Sequence, residues 1–168
     1  GIEIKPARRV IHEFVDIVSK NGQLLLNVSP KSDGSIPEDQ RAVLKALGTW
    51  MNTNGEAIYG TRPWKIYGEG PTRMQGDGHF AKHVEYTTRD IRFTTKGDAI
   101  YVIALGTPRD ELTIVALALN SSLEEPDISS VTALNGDHIE SWVQEHDGLK
   151  IVLKDGAPEQ LAYAFKVQ

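Results

Sequence analysis

Two histidines, His79 and His83, have the spacing most suggestive of metal chemistry in this chain. On a helix, side chains four positions apart lie on one face, where two imidazoles can bind a zinc ion. Gly76 and Gly78 precede the pair and oppose a helix, and the sequence shows no obvious third ligand beyond Asp77. We therefore interpret this stretch as a solvated connector and predict no metal site.

Carboxylate and nucleophile patterns are equally weak. Glu124, Glu125 and Asp127 lie close together in sequence, and we interpret them as a charged loop rather than a catalytic pair. Serine, histidine and aspartate are all present, but no Gly-x-Ser-x-Gly motif marks a hydrolase nucleophile. The absence of cysteine excludes disulfides, thiolate catalysis and cysteine-ligated zinc. These patterns predict no catalytic, cofactor-binding or metal-binding residue.

Composition limits the classes of protein to which this chain can belong. The 168 residues are 40% hydrophobic and 24% charged, as in soluble globular proteins. A net charge of −5 without a long basic run gives little support for nucleic-acid binding. No apolar stretch approaches the roughly 20 residues that span a bilayer. The chain opens with Gly1 and its methionines are Met51 and Met74, so we expect a piece of a longer protein or the loss of leading residues.

Two helices are predicted in the first third of the chain, and they could position a site. Arg8 to Ser19 has apolar residues at helical spacing and ends at Asn21-Gly22. Ser35 and Glu38 form a capping-box pattern that opens a second helix. The positions expected to be buried are Val10, Ile11, Phe14, Val15 and Val18 in the first helix and Val43, Leu44, Leu47, Trp50 and Met51 in the second.

Between the helices, Leu24 to Val28 is an apolar run without alternation. Such a run is typical of a strand that is covered on both faces, as in parallel α/β sheets. Helix, buried strand and helix form one turn of a repeating βα architecture. Three elements cannot close a sheet by themselves, so this strand needs neighbours from elsewhere.

The second half of the chain has the pattern of an antiparallel β-sandwich. Short apolar runs alternate with turn signals, among them a predicted hairpin through Lys96-Gly97-Asp98. The predicted strands are Ile91 to Thr95, Ala99 to Leu105, Leu112 to Leu119, Ser130 to Leu134, Ile139 to Val143, Leu149 to Leu153 and Leu161 to Val167. We predict a sandwich over residues 90–168, preceded by a connector over 65–89.

Four aromatic residues on these strands have two interpretations. Trp142, Tyr101, Tyr163 and Phe165 could form a platform on which a sugar stacks. Aromatic side chains at strand spacing belong more often to a hydrophobic core, which is the interpretation we favour.

Several motifs, in the right order, resemble family 29 α-L-fucosidases. They are VDIVSKNGQLLLNVSP at 15–30, DGSIP at 33–37, NGEAIYGTRPW at 54–64 and DIRFTTKGD at 90–98. The resemblance covers nearly the whole chain, strongly over residues 8–64 and more loosely after 106. Ser29 and Gln23 depart from it, since many relatives have glycine and asparagine there.

This resemblance implies a fold and an activity for the parent protein. Such enzymes have a (β/α)8-like barrel followed by a β-sandwich, so residues 1–64 would be the last βα unit of the barrel and the whole chain an α+β fragment. They are retaining glycosidases that release terminal α-L-fucose from glycans, using two carboxyl groups about 5 Å apart. Both groups, and the sugar-binding His and Trp residues, come from earlier barrel segments, and no residue of this chain matches them. The family needs no cofactor or metal.

Four polar residues follow the predicted strand, namely Asn27, Ser29, Lys31 and Asp33. At the C-terminal end of a barrel strand they would lie on the face where barrel enzymes build their sites, and could line the rim of a fucose pocket. The alternative, which we favour, is a loop shaped by turn chemistry.

Within Gly60 to Trp64, Pro63 forces Arg62 into an extended conformation. We expect Trp64 to pack the sandwich onto the barrel and Arg62 to anchor that junction, in preference to a ligand contact.

Two other functions stay open on sequence alone. One is a sandwich module that binds glycans or serves a structural role without a catalytic partner, and the other is a homologue that has lost activity. The exposed edges of the strand at 24–28 predict self-association or pairing with a companion barrel chain. The family's bacterial habits favour a bacterial source, with an exported (periplasmic or extracellular) or cytoplasmic location.

Overall fold

The computed structural model describes residues 4–73, 84–109, 111–123 and 127–168. Its helices are α1 (Ala7–Ser19) and α2 (Glu38–Asn54), with short 3-10 turns at Gly55–Ala57 and Val115–Leu117. The strands are β1 (Arg62–Glu69), β2 (Ile91–Lys96), β3 (Ala99–Ala104), β4 (Glu111–Ile114), β5 (Val131–Ala133), β6 (Ile139–Glu145), β7 (Gly148–Leu153) and β8 (Tyr163–Val167). Neither described helix is long and apolar enough to cross a membrane.

The strands form two antiparallel sheets. One has five strands in the order β1-β2-β3-β8-β5, and the other has three in the order β4-β7-β6. The predicted hairpin between β2 and β3 is confirmed, because Lys96 pairs with Ala99 and Gly97 takes a positive φ of 59° in the turn. A β-bulge interrupts the pairing of β1 with β2 between Pro63 and Gly68.

Both faces of the five-stranded sheet are buried along its central strands, β2, β3 and β8. Along β2, Ile91 and Phe93 face the three-stranded sheet, whereas Arg92 and Thr94 face the helices, as the alternation of side chains along a strand requires. The core between the sheets includes Trp64, Ile91, Phe93, Val102, Leu112, Ile114, Leu149, Ile151, Tyr163, Phe165 and Val167. The core under the helices includes Ile11, Val15, Trp50, Ile58, Tyr101, Ile103, Leu105, Ala162 and Ala164.

The four aromatic residues weighed as a sugar platform belong to these cores. Tyr101, Tyr163 and Phe165 are buried, and Trp142 packs against the core between the sheets. The core interpretation is confirmed.

Helix α1 begins one residue before its predicted start and buries Val10, Ile11 and Val15 as expected. Helix α2 differs from prediction in two respects. The Ser35 hydroxyl donates to Asp33 Oδ1 at 2.6 Å, so no capping box forms and Pro37 occupies the N-cap position. Of the apolar positions expected to be buried, Trp50 is, whereas Val43, Leu44, Leu47 and Met51 are partly exposed.

Two predicted boundaries in the β region are corrected. The strand expected at Leu112 to Leu119 ends at Ile114, where the chain turns into a 3-10 helix. The five-stranded sheet begins at Arg62, because β1 runs into the stretch 65–89 that was expected to be a connector.

The predicted strand at Leu24 to Val28 is wrong for this chain. These residues form neither a helix nor a strand, and 86% of Leu25 and 38% of Leu26 are exposed. A β-strand exists only through hydrogen bonds to a neighbour, and neither sheet supplies one here. The segment therefore crosses the surface between the two helices without pairing.

Candidate functional site at the helix–sheet junction

The last turn of α1 is fastened to β2 by a buried ion pair. Arg92 Nε donates to Asp16 Oδ1 at 2.6 Å, and each side chain is about 2–3% exposed. Asp16 lies among the apolar residues of α1, and Arg92 lies on the face of β2 that the helix covers. Burying two charges is costly unless each finds a partner, and here each does.

Further contacts surround the pair. Lys20 Nζ donates to the second oxygen of Asp16, Oδ2, at 2.7 Å. Two tyrosine rings flank the Arg92 guanidinium, with their centroids 5.6 Å away for Tyr67 and 5.5 Å for Tyr86. Such cation–π contacts are favourable when they are desolvated. Burial, with a contribution from the Asp16 charge, raises the pKa of Tyr86 to about 12, so its hydroxyl stays protonated.

Hydrogen bonds to the segment that leads into β8 fix both helices further. His12 Nε2 lies 2.8 Å from the Leu161 carbonyl oxygen, and since a carbonyl only accepts, Nε2 carries the proton. Trp50 Nε1 donates to the Ala162 carbonyl at 2.9 Å. The helices are thus joined to the sheet by directed bonds as well as by apolar packing.

The end of α2 has its own anchor on the sheet. Glu56 Oε1 accepts hydrogen bonds from Tyr101 at 2.8 Å and from Lys166 at 2.9 Å. Those bonds lower the pKa of Glu56, while burial and the Glu56 carboxylate raise the pKa of Tyr101 to about 12. Glu56 therefore stays ionised and Tyr101 stays protonated across the neutral range.

This arrangement orients elements and leaves no free acid. Both oxygens of the Asp16 carboxylate are bound by cations, so it is not available to attack a sugar or to protonate a leaving group. Among the described residues, no group of three histidine, cysteine or acidic side chains could hold a metal ion.

Three of the four predicted rim residues, Ser29, Lys31 and Asp33, lie on one exposed loop. Ser29 exchanges two hydrogen bonds with the Gln40 side chain, of 2.8 and 3.2 Å. The Lys31 amide donates to the Ser35 carbonyl, and Asp33 accepts from Ser35, which lowers the Asp33 pKa. Turn chemistry therefore shapes this loop.

Asn27 is exposed next to that loop. Whether Asn27, Ser29, Lys31 or Asp33 lines a substrate pocket stays a prediction.

Of the two predicted junction residues, Trp64 was placed incorrectly, whereas the anchoring role of Arg62 stays a prediction. Trp64 packs in the core between the two sheets, with its ring centroid 4.8 Å from that of Phe93, and so does not face outward to join another domain. Arg62 is exposed and donates to the adjacent Thr61 carbonyl at 3.4 Å.

Two weak sequence candidates fall outside the described residues. They are the His79–His83 pair and the adjacent Glu124 and Glu125. Asp127, from the same acidic stretch, is described and exposed.

Sequence reasoning missed Asp16 and Arg92, although a signal was present. Asp16 interrupts the apolar stripe next to Val15, and Arg92 stands between two core residues, Ile91 and Phe93. When each of two elements carries a charged residue on its buried face, the pattern indicates a buried ion pair.

Comparison with known proteins finds α-L-fucosidases by both sequence and fold. A family model for α-L-fucosidase matches residues 2–56. The sequence is 31% identical to the tissue α-L-fucosidase of Macaca fascicularis and 30% identical to that of Homo sapiens, each over 98% of this chain. The match covers 32% of each relative, so the chain spans about a third of their length.

The fold agrees with solved structures. The α-fucosidase of Thermotoga maritima in complex with fucose superposes with a TM-score of 0.73 at 29% identity, over 99% of this chain and 35% of that one. α-L-Fucosidase isoenzyme 1 from Paenibacillus thiaminolyticus shares the fold with a TM-score of 0.69 at 22% identity, over 98% of this chain and 34% of that one. Sequence and fold agree: over nearly its whole length this chain is similar to a C-terminal portion of the α-L-fucosidases.

Proposed function

We propose that this chain is the C-terminal scaffold of a retaining α-L-fucosidase that hydrolyses terminal α-L-fucose from glycans. In the assembled enzyme, Leu24 to Val28 is the last strand of the (β/α)8-like barrel, and the sandwich supports that barrel from one side. The nucleophile and the acid/base belong to the rest of the enzyme, so the chain alone does not turn over substrate.

The observation that carries this proposal is the state of residues 24–28. Three consecutive leucines and a valine lie between helices that are bonded to the sandwich, yet Leu25 and Leu26 face solvent. Exposed apolar area costs roughly 25 cal/mol per Å². A barrel strand at this position would bury those side chains on both faces and pair the backbone on both edges.

The chemistry of retention also points beyond this chain. It requires two carboxyl groups about 5 Å apart, one to attack the sugar and one to protonate the leaving oxygen. The buried carboxylate of the junction, Asp16, is held by two cations and can do neither.

The loop that follows the proposed strand contributes to the mouth of the barrel. Ser29 is bonded to Gln40 in the first turn of α2, and Lys31 and Asp33 are bonded to Ser35. These bonds give the loop a defined shape, so its proposed role is to form part of the rim of the fucose pocket.

An aryl α-L-fucoside assay tests the proposal. We expect no turnover by the 168-residue chain, and turnover by a longer protein in which the reading frame is extended upstream of Gly1. Turnover by the chain alone would overturn the proposal that the nucleophile and the acid/base lie outside it. An upstream sequence that encodes no barrel would overturn the parent assignment.

A glycan-binding or structural module remains the second candidate from a different functional class. It predicts saturable binding of fucosylated glycans by this chain, measurable by calorimetric titration. The burial of Tyr101, Tyr163 and Phe165 removes the aromatic platform that such binding would use, so we expect no heat of binding.

A further inference from the structure

We propose that Asp16 and Arg92 form a positioning pair that sets the direction in which the chain leaves α1 towards residues 24–28. This inference rests on the proposed function, because it concerns how the sandwich places the final barrel strand. Neither residue touches substrate in this scheme. Their role is exerted through the strand and the loop that follow α1.

The contact between Arg92 and Asp16 is directional. Arg92 Nε binds Asp16 at 2.6 Å, Nη1 binds the Ile91 carbonyl at 2.9 Å, and the rings of Tyr67 and Tyr86 flank the guanidinium. Apolar packing under a helix allows sliding and rotation, whereas a planar fork with fixed hydrogen bonds does not. The pair therefore specifies the rotation of α1 on the sheet.

Only a few residues separate the pair from the point where the chain leaves α1, and hydrogen bonds join them. Asp16 also binds Lys20, the residue that caps α1. The Gly22 amide donates to the Ile17 carbonyl at 2.8 Å, and Asn21 adopts the left-handed conformation with φ 64°. A Cβ at Gly22 would lie 2.7 Å from Ile17 Cγ2, so the turn is closely packed as well.

β1 leaves room for the Arg92 side chain. Gly68 lies after the bulge in β1, and a Cβ there would come within 2.8 Å of Arg92 Cδ. A buried ion pair is seldom more stabilising than well-packed apolar residues of similar size. The glycine and the bulge that accommodate this arginine are thus better explained by a role in orienting α1 than by a gain in the stability of the fold.

The test separates orientation from stability with the double variant Asp16→Leu/Arg92→Met, which replaces the pair with apolar side chains. We expect its melting temperature to stay within about 4 °C of the wild type. We expect the Gly22 amide, measured by hydrogen exchange in this 168-residue chain, to exchange at least about tenfold faster. Unchanged exchange at Gly22 in a folded variant would overturn the proposal.

Two further variants complete the design. Arg92→Lys keeps the charge but loses the planar fork of the guanidinium, and it replaces the double variant if that variant fails to fold. It should also accelerate exchange of the Gly22 amide, and unchanged exchange would equally overturn the proposal. Asp137→Leu/Lys154→Met is the matched control, since it removes an exposed ion pair of 2.7 Å beyond the helical layer. It should leave Gly22 exchange unchanged, and acceleration there too would overturn the proposed specificity.

Activity in the longer protein gives the functional readout. With an aryl α-L-fucoside, Asp16→Leu/Arg92→Met should lower kcat/KM by up to about a hundredfold, as a displacement of roughly 1 Å does. Wild-type kcat/KM in a folded variant whose Gly22 exchange is accelerated would show that the pair does not act on the site. A wild-type longer protein without activity would refute the proposed function, while the exchange measurement would still decide the role of the pair in this chain.

Discussion

Single polar residues of the five-stranded sheet and its flanking loops hold neighbouring segments through directed hydrogen bonds. Thr94 donates from Oγ1 to the Ala57 carbonyl at 2.6 Å, and Asp90 accepts hydrogen bonds from the amides and hydroxyls of both Thr72 and Thr87. Glu69 accepts from the Val115 and Ala116 amides. Each contact has a measurable consequence of known sign.

Thr94→Val tests the bond between β2 and the turn after α2. Valine matches threonine in shape but cannot donate, so the buried Ala57 carbonyl loses this partner. We expect the free energy of unfolding to fall by about 1–3 kcal/mol in urea denaturation. Thr132→Val, at an exposed position of β5, is the control and should change stability by no more than about 0.5 kcal/mol. Equal effects of the two changes would contradict this account of Thr94.

Asp90 should make the protein sensitive to acid. Burial opposes its charge, but hydrogen bonds from Thr87 and Thr72 outweigh that effect and lower its pKa below the ordinary 3.8. Its contribution to stability is therefore present above pH 3.8 and is lost as the pH falls through the lower pKa of the folded state. Asp90→Asn should flatten the acid limb of the stability curve, measured by denaturation from about pH 2 to about pH 6. A limb as steep as that of the wild type would count against this role.

Glu69 should act with the opposite sign. Burial raises its pKa above the ordinary 4.5 despite hydrogen bonds from Ala116 and Val115. The stabilising contribution belongs to the protonated form, is complete below pH 4.5 and is lost as the pH rises through the higher pKa of the folded state. In the wild type this contribution lowers the free energy of unfolding at about pH 7 relative to about pH 4. Glu69→Gln removes the contribution, so the difference between the two pH values should shift in favour of about pH 7. A shift in the other direction would contradict the cause given for its pKa.

For individual residues, the sequence predicted the apolar core under the helices better than the polar contacts between helix and sheet. Val10, Ile11 and Val15 were predicted from helical spacing, because apolar burial depends mainly on periodicity. Asp16 and Arg92 are 76 positions apart, and their pairing depends on how a helix lies across a sheet. Local patterns carry no information on that angle.

Among the secondary-structure elements, glycine positions distinguish tight from open packing. A Cβ added to Gly48, inside α2, would have open space around it, with no neighbouring atom of the described residues within 4 Å. A Cβ at Gly68 of β1 would instead overlap the Ile91 carbonyl oxygen. We expect Gly48→Ala to stabilise the protein by about 0.5–1 kcal/mol, and Gly68→Ala to destabilise it by about 1–3 kcal/mol. Thermal denaturation of the two variants checks both signs, and the same sign for both would contradict the packing described.

Most elements were predictable from the sequence, since hydrophobic periodicity and turn residues identify α1, the β2–β3 hairpin and β7 directly. β1 was missed because it contains a proline and passes through a bulge, both of which disturb the alternation. Leu24 to Val28 has the composition of a strand, but strand formation needs neighbours that neither sheet provides.

In the whole molecule, the exposed segment should drive association of this chain when it is studied alone. An unpaired apolar segment can pair with the same segment of a second copy. We expect a concentration-dependent dimer in sedimentation velocity, weakened by Leu25→Lys at the most exposed leucine of the segment. Tyr59→Lys, at another exposed apolar position, is the control and should leave the dimer intact. A monomer at all concentrations would contradict this prediction.

Residues 24–28 become a strand, in the proposed function, only within a larger barrel. Amide hydrogen exchange of Leu24 to Val28, compared between this chain at monomeric concentration and the longer protein extended upstream of Gly1, tests this most directly. We predict unprotected amides in the chain and strongly protected amides in the longer protein, because barrel neighbours would bond both edges of the strand. Amides that exchange freely in both proteins would contradict the account.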